Sequence, residues 1–459
     1  VDDNATNLRI LSAYLAQWGC PHQTAADGEE ALELLRQAAA EGRPFDLALV
    51  DMMMPGMSGR ETIERIRANP DTRNLRILFL TVARFSETGM KNLKELGVLD
   101  YITKPFDNTD LVNRIKKENK NIKIIFGGPA IFDEEFRNKT PEKACDYFII
   151  GEGEETIYEL VTALKEGNPV SNIKGIMINN RSGKYKFVPR DPIMNLNEIP
   201  FPTFEEFDLK LYINKELPIL TSRGCIGKCT YCTDYIISGC YRFRSAEKIV
   251  EELIFLTTKY KIKMFALNDL LCNANLKELE RTCDLIIKNN LKIKWGGYAT
   301  IRKDMSLRLL QKMRKAGCVA LHYGFESASN NVLRLMNKYY TAEDAEELIR
   351  KTRKAGIMVV INIIVGFPGE TDEDFNKTME FIKKNKSYID SVGNVSVCFI
   401  MPGSMIHKYA ESFGIKLTKN YELWYGKYNN HKIRAKKATQ IIKLVDELEI
   451  PISTRNLYR

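Results

Sequence analysis

Long hydrophobic runs are missing from this chain. No stretch approaches the roughly 20 apolar residues that span a bilayer, and no secretory signal opens it. No membrane span is expected, and the expected location is cytoplasmic. A disulfide framework is missing too, because ten cysteines in 459 residues lack the density of a stapled scaffold. Cys20, Cys145, Cys240, Cys272, Cys283, Cys318 and Cys398 are scattered and read as buried free thiols. Stacking aromatics are absent between Lys432, Arg434, Lys436, Lys437 and Lys443, which contribute strongly to the net charge of +9. That stretch therefore reads as a solvated basic face rather than a nucleic-acid surface.

What is present is ordinary for a soluble protein of two or three domains: 44% hydrophobic and 28% charged residues. The concentrated chemistry lies in Arg223-Gly-Cys225-Ile-Gly-Lys-Cys229-Thr-Tyr-Cys232. This C-x3-C-x2-C loop follows the apolar run 217–220, so three thiolates leave a probable strand together. Three cysteines can hold an iron–sulfur cluster and leave one iron open to substrate or cofactor. A four-cysteine zinc or ferredoxin-type site completed by Cys240 is the alternative. From 217 onward six strands alternate with helices: 217–220, 264–267, 293–298, 319–323, 358–365 and 394–400. Thr341-x-x-Asp344 and Thr371-x-x-Asp374 read as capping boxes, and Gly317 and Gly356 as helix ends. Six repeats imply an incomplete TIM-like barrel with its site at the strand C-termini. Those ends carry Asn268-Asp269, Glu326-Ser327, Gly366 to Glu370 and Met401 to Ser404.

Residues 195–415 resemble the radical SAM enzymes, in particular the subgroup with a cobalamin-type N-terminal domain. The resemblance implies a 4Fe–4S cluster on Cys225, Cys229 and Cys232. It implies reductive cleavage of S-adenosylmethionine to a 5′-deoxyadenosyl radical, with electrons from a flavodoxin- or ferredoxin-type donor. Tyr231 would pack near the adenine. Asn268 or Asp269 would accept from the cofactor's ammonium, and Glu326 or Ser327 would bind its ribose or methionine part. The Ile361–Gly366 backbone, Ile363 and Gly366 included, would flank the adenine, and Arg302 would pair with the methionine carboxylate unless it is a surface arginine. His322 and His407 read as structural. The outcome would be methylation, cyclisation or rearrangement of a substrate the sequence does not identify.

The front of the chain has another character. Asp2 and Asp3, Asp51, Thr81 and Lys104 all fall at the ends of short apolar strands, where a parallel sheet gathers function. Carboxylates bind a hard cation, and a lysine offsets a phosphoryl charge. Residues 1–112 resemble the receiver domain of two-component response regulators. The resemblance implies that Asp51 accepts a phosphoryl group and that Asp2, Asp3 and Asp51 hold Mg2+. It implies that Thr81 and Lys104 sense the phosphate, that Lys104–Pro105 is cis, and that a sensor histidine kinase is the partner. Only Val1 stands where the first strand belongs, so a fragment missing its start is expected.

Residues 113–194 resemble the C-terminal half of a cobalamin-binding domain through Gly127-Gly128-Pro129-Ala130, Gly151-Glu152-Gly153-Glu154 and a hairpin around 181–183. The first three strand–helix units are absent, so cobalamin binding is doubtful. A helix at 110–117 serves both resemblances, so these strands are expected to extend the receiver sheet. The expected fold is thus α/β: a flavodoxin-like parallel sheet with a truncated first strand, its partial cobalamin-domain extension, the incomplete barrel, and a basic helical extension over 416–459. Two alternatives remain: a phosphorelay protein with a non-catalytic barrel, or an artificial chimera of two coding sequences.

Overall fold

The computed structural model describes residues 1–3, 8, 22–52, 54, 56–81, 96–98, 100–103, 122–128, 145–178, 186–205, 207, 209, 216–418 and 423–452. Element labels number the described elements.

The front domain is a parallel sheet in the order β1 (Leu47–Asp51), β2 (Arg76–Thr81), β3 (Asp100–Thr103). Helices α1 (Gly28–Ala40) and α2 (Gly59–Ala68) accompany it, started by Asp27 and by a capping box of Ser58 with Glu61. Val50, Ile63, Ile66, Ile77 and Phe79 are sealed in its core. Short as it is, the segment ahead of the acidic pair lies along β1. The Val1 ammonium donates to the Leu49 carbonyl at 2.7 Å, and the Asp51 amide donates to the Val1 carbonyl at 2.9 Å.

Next comes a four-stranded sheet, β4 (Ile125–Gly127), β5 (Tyr147–Ile149), β6 (Ile176–Ile178) and β7 (Lys186–Phe187), with helix α3 (Glu154–Glu166). β4 and β5 run parallel, and β6 and β7 form the expected antiparallel hairpin. Among the described residues this sheet is separate from β1–β3, which corrects the expectation of one extended sheet. Its strands pair and its core closes within the segment itself, around Tyr147, Ile149, Leu160 and Ile176. The 110–117 helix, Ala130, residues 181–183 and the Lys104–Pro105 bond lie outside the described residues.

The third region is a six-stranded parallel sheet in simple sequence order: β8 (Glu216–Ile219), β11 (Met264–Leu267), β12 (Lys294–Ala299), β13 (Cys318–Glu326), β14 (Met358–Val365) and β15 (Ser391–Val397). No closed barrel forms among the described residues, because β8 and β15, at the two ends of the strand order, do not pair with each other. Helices α5 (Ala246–Tyr260), α6 (Leu276–Lys288), α7 (Leu307–Lys315), α9 (Ala342–Lys354) and α10 (Asp372–Lys384) cover one face. Both expected capping boxes, Thr341 with Asp344 and Thr371 with Asp374, are formed.

The extension joins the same core. Helix α12 (His431–Glu447) buries Ile441, Leu444 and Val445 against the sheet. It also corrects the reading of a wholly solvated basic face, because Arg434 and Lys437 are buried. The Arg434 guanidinium lies 4.0 Å from the centre of the Trp424 ring and donates to the Trp424 carbonyl. Lys437 pairs with buried Glu370 at 3.0 Å. Gly366 sits directly under Arg434, at φ +72°, where a Cβ would come 2.3 Å from the arginine Cγ. Only glycine meets both demands. Trp424 is fully buried, whereas Tyr425 is exposed.

Candidate functional site

The cysteine loop leaves and re-enters the fold through a narrow neck. Strand β9 (Ser222–Arg223) pairs antiparallel with β10 (Arg242–Phe243), so residues 224–241 form a closed loop above the C-terminal end of β8. Gly224 sits at φ +78°, and a Cβ there would lie 2.5 Å from the Cys240 carbonyl oxygen, so the neck closes only around glycine.

Within the loop the Gly227 amide donates to the Cys225 sulfur at 3.3 Å, and the Asp234 amide to the Cys232 sulfur at 3.4 Å. All three thiols are half-buried. Burial raises the Cys225 thiol pKa, and burial with the Asp234 carboxylate pushes Cys232 up to about 12. Raised in this way, Cys225 and Cys232 favour the thiol, and a bound metal centre is what would make them thiolates. Among the described residues, the only trio with ligand atoms mutually within 4.8 Å is Asp2, Asp3 and Asp51. Cys240 is exposed and outside any such trio.

The loop is moored to the far side of the sheet. The Thr230 hydroxyl donates to the Leu335 carbonyl, the Thr230 amide to that of Met336, and the Asn337 amide nitrogen to that of Lys228. This brings Tyr231 to the end of β13. Its hydroxyl donates to Glu326 at 3.0 Å, and the Lys338 ammonium reaches the same carboxylate oxygen at 3.0 Å. Glu326 is 7% exposed and sits at φ +62° where β13 is irregular, an unfavourable backbone for a non-glycine residue. Burial and the neighbouring Glu326 raise the Tyr231 pKa. Burial opposes the Lys338 charge, yet Glu326 holds that ammonium well above its ordinary value. Tyr340 closes the corner by donating to the Gly324 and Phe325 carbonyls.

Lys338 and Tyr340 were not foreseen. They lie in Met336-Asn337-Lys338-Tyr339-Tyr340, which carries no spacing signal, and only tertiary contact with Glu326 reveals their place.

The other expected cofactor contacts do not converge. Asp269 is buried and ties down the turn after β8, accepting from the Thr221 amide and hydroxyl and the Ser222 amide. Arg302 forks onto Asp304 and donates to the Asn273 and Ala274 carbonyls, so it clips a loop. Ser327 is buried against Thr378. Ile363 is sealed between sheet and helices, and Gly366 lies beneath Arg434. Asn268 does face the open side of the sheet, with Tyr298 and His322, around a cavity of about 220 Å³. Burial lowers the pKa of His322.

At the front, Asp2 is fully buried, Asp51 nearly so, and Asp3 exposed. Thr81 ends β2 beside Asp51, through the pairing of Asp51 with Leu80, but its side chain lies outside the described residues, as does all of Lys104.

Comparison with known proteins gives these sites a family. The model of the radical SAM superfamily matches residues 219–382, and that of the response regulator receiver domain matches residues 1–116. The chain carries a radical SAM domain behind a receiver domain. The receiver and radical SAM domain assignments from sequence both hold, and the chain is an enzyme. An uncharacterized methyltransferase of Pyrococcus horikoshii is 28% identical over 78% of this chain and 78% of its own length. The anaerobic magnesium-protoporphyrin IX monomethyl ester cyclase of Rubrivivax gelatinosus is 29% identical over 52% of this chain, which spans 44% of that enzyme. Among solved structures, the cobalamin-dependent radical enzyme OxsB, with aqua-cobalamin and S-adenosylmethionine bound, matches with TM-score 0.60 and 17% identity. The match covers 85% of this chain and 60% of that one. The radical S-adenosylmethionine methyltransferase TsrM of Kitasatospora setae matches with TM-score 0.51 and 17% identity, over 90% of this chain and 76% of its own. These two likenesses describe the fold.

Proposed function

We propose that the protein is a radical SAM methyltransferase whose reaction site lies between the cysteine loop and the open face of the six-stranded sheet, curled as a partial barrel. The observation that carries this reading is the mooring of three half-buried thiols beside the Tyr231–Glu326–Lys338 cluster. Cys225, Cys229 and Cys232 would hold a 4Fe–4S cluster. When bound, such a cluster delivers one electron from a flavodoxin- or ferredoxin-type donor to S-adenosylmethionine and so yields a 5′-deoxyadenosyl radical. The chain's own part is to position and enclose. Glu326 presents to cofactor hydroxyls a carboxylate that its buried ion pair with Lys338 holds in place. Methyl transfer is preferred to cyclisation because the methyltransferase relative aligns over most of both chains.

Cobalamin enters as part of this reading, and the doubt raised by the shortened domain finds no support in the neighbours. Gly128 and Gly151 follow the parallel strands β4 and β5, and a Cβ at either would meet no described residue within 4 Å. OxsB, a neighbour in fold, holds aqua-cobalamin. The receiver would be the regulatory input, with Mg2+ on Asp2, Asp3 and Asp51 and a sensor histidine kinase as phosphodonor.

The decisive assay is anaerobic reconstitution with iron and sulfide, followed by dithionite and S-adenosylmethionine. A brown protein that releases 5′-deoxyadenosine and co-purifies with corrinoid is expected; a colourless protein without cleavage overturns the proposal. For the receiver, acetyl phosphate with Mg2+ should label the chain, and Asp51→Asn should abolish labelling while leaving 5′-deoxyadenosine release intact. Equal labelling of both proteins would exclude Asp51 as acceptor.

A further inference from the structure

Two arginines face each other across the neck of the cysteine loop, and the chemistry above uses neither. Arg223 and Arg242 are direct partners in the antiparallel β9–β10 pair. Like charges directly opposite are unfavourable unless something neutralises them. Here the neutralising groups come from the Gly151-Glu152-Gly153-Glu154 turn ahead of α3. One Glu152 oxygen lies 2.8 Å from Arg242 and 3.3 Å from Arg223, and Glu154 closes a fork on Arg223. The other Glu152 oxygen accepts from the Ile193 amide at 2.6 Å. Arg242, its side chain 3% exposed, also donates to the carbonyls of Ile193, Ser238 and Cys240. Two arginines thus meet two glutamates within ion-pair distance at the neck.

We infer that Glu152 is a positioning residue for the cysteine loop: the segment carrying β4–β7 holds the neck of that loop shut and is a working part of the cluster site. The inference rests on the reading that this loop carries the cluster. It follows from where the charges lie. Deleting Glu152 takes the ion-pair partner from Arg242, which is nearly sealed from water, and leaves Glu154 alone against two facing cations at the ladder that closes the loop. A buried ion left without its partner is far more costly than the pair is worth. The neck therefore has to open or shift, and residues 224–241 with it.

The test uses the full chain. Amide hydrogen exchange is followed in the cluster-free wild type, Glu152→Gln, Arg242→Met and the double variant. Exchange at residues 222–223 and 242–244 should quicken at least ~10-fold in Glu152→Gln. Strand amides 318–326 should keep their protection, and the double variant should be no faster than the faster single variant, because the residues act as a unit. After reconstitution, the electron paramagnetic resonance signal of the dithionite-reduced cluster with S-adenosylmethionine should differ from wild type in Glu152→Gln. Faster exchange confined to 145–193, additive effects in the double variant, or an unchanged cluster signal would each overturn the inference. If Glu152→Gln loses protection over 318–326, Arg223→Lys, which keeps the charge without the fork, replaces it under the same criteria. A wild type that binds no cluster would sink the radical SAM reading, and the exchange comparison would still decide whether Glu152 holds the neck.

Discussion

Replacing Cys229 by Ala should leave the protein folded and strip it of iron. None of its described contacts runs through the sulfur: the residue's role in the loop is the carbonyl that accepts from the Cys232 amide, which alanine keeps. A half-buried thiol is thus lost at little cost in stability, and the unfolding temperature should stay within a few degrees of wild type. Release of 5′-deoxyadenosine should fall at least about 1000-fold, the equivalent of ~4 kcal/mol of barrier. Cys240→Ala is the companion variant. Exposed and outside the loop's inward-facing trio, Cys240 should be dispensable for both iron content and cleavage. Iron that is retained in Cys229→Ala and lost in Cys240→Ala would point back to a four-cysteine site.

The second large effect concerns Lys338. Replacing it by Met removes the cation from a buried pair in which both side chains are about nine-tenths covered. Breaking such a pair from one side costs about 3–5 kcal/mol, since the remaining carboxylate has to be buried alone or protonated. Thermal denaturation should show a clear loss in Lys338→Met. Adding Glu326→Gln should recover part of that loss, because the stranded charge is gone. Cleavage of S-adenosylmethionine should fail in both proteins, since neither presents a fixed carboxylate. An unshifted melting curve for Lys338→Met, or full cleavage by the double variant, would show that the pair is not what holds Glu326 in place.

The catalytic sheet was legible in the sequence because its signals are local. Alternating apolar runs and capped helices placed Met264–Leu267 and Met358–Val365 without error, and Thr341 and Thr371 marked where α9 and α10 begin. The three cysteines were legible for the same reason, as close spacing on one loop is a one-dimensional fact. The polar groups at the other strand ends were not. Glu326, Ser327, Asp269 and Arg302 look equally available in the sequence, yet three of them are consumed by neighbours that only the fold supplies: Thr378, Thr221 and Asp304. Two buried cations, Lys437 and Arg434, looked like surface charge because their partners, Glu370 and Trp424, belong to other parts of the chain. The expected merger of the front sheets had the same origin, since hydrophobic patterning proposes strands but does not say which edges meet.

The cover over β15 has a consequence for the order in which the molecule can be made. The Val392 amide and the Ser391 hydroxyl both donate to the Pro451 carbonyl, Val392 forms a parallel bridge with Ile452, and α12 packs on the same strand. The last strand of the sheet is thus sealed by residues that leave the ribosome after everything they protect. Until residue 452 has emerged, β15 presents an open edge and the core lacks Ile441, Leu444 and Val445. The nascent chain accordingly carries its complete cysteine loop well before the edge of its sheet is covered.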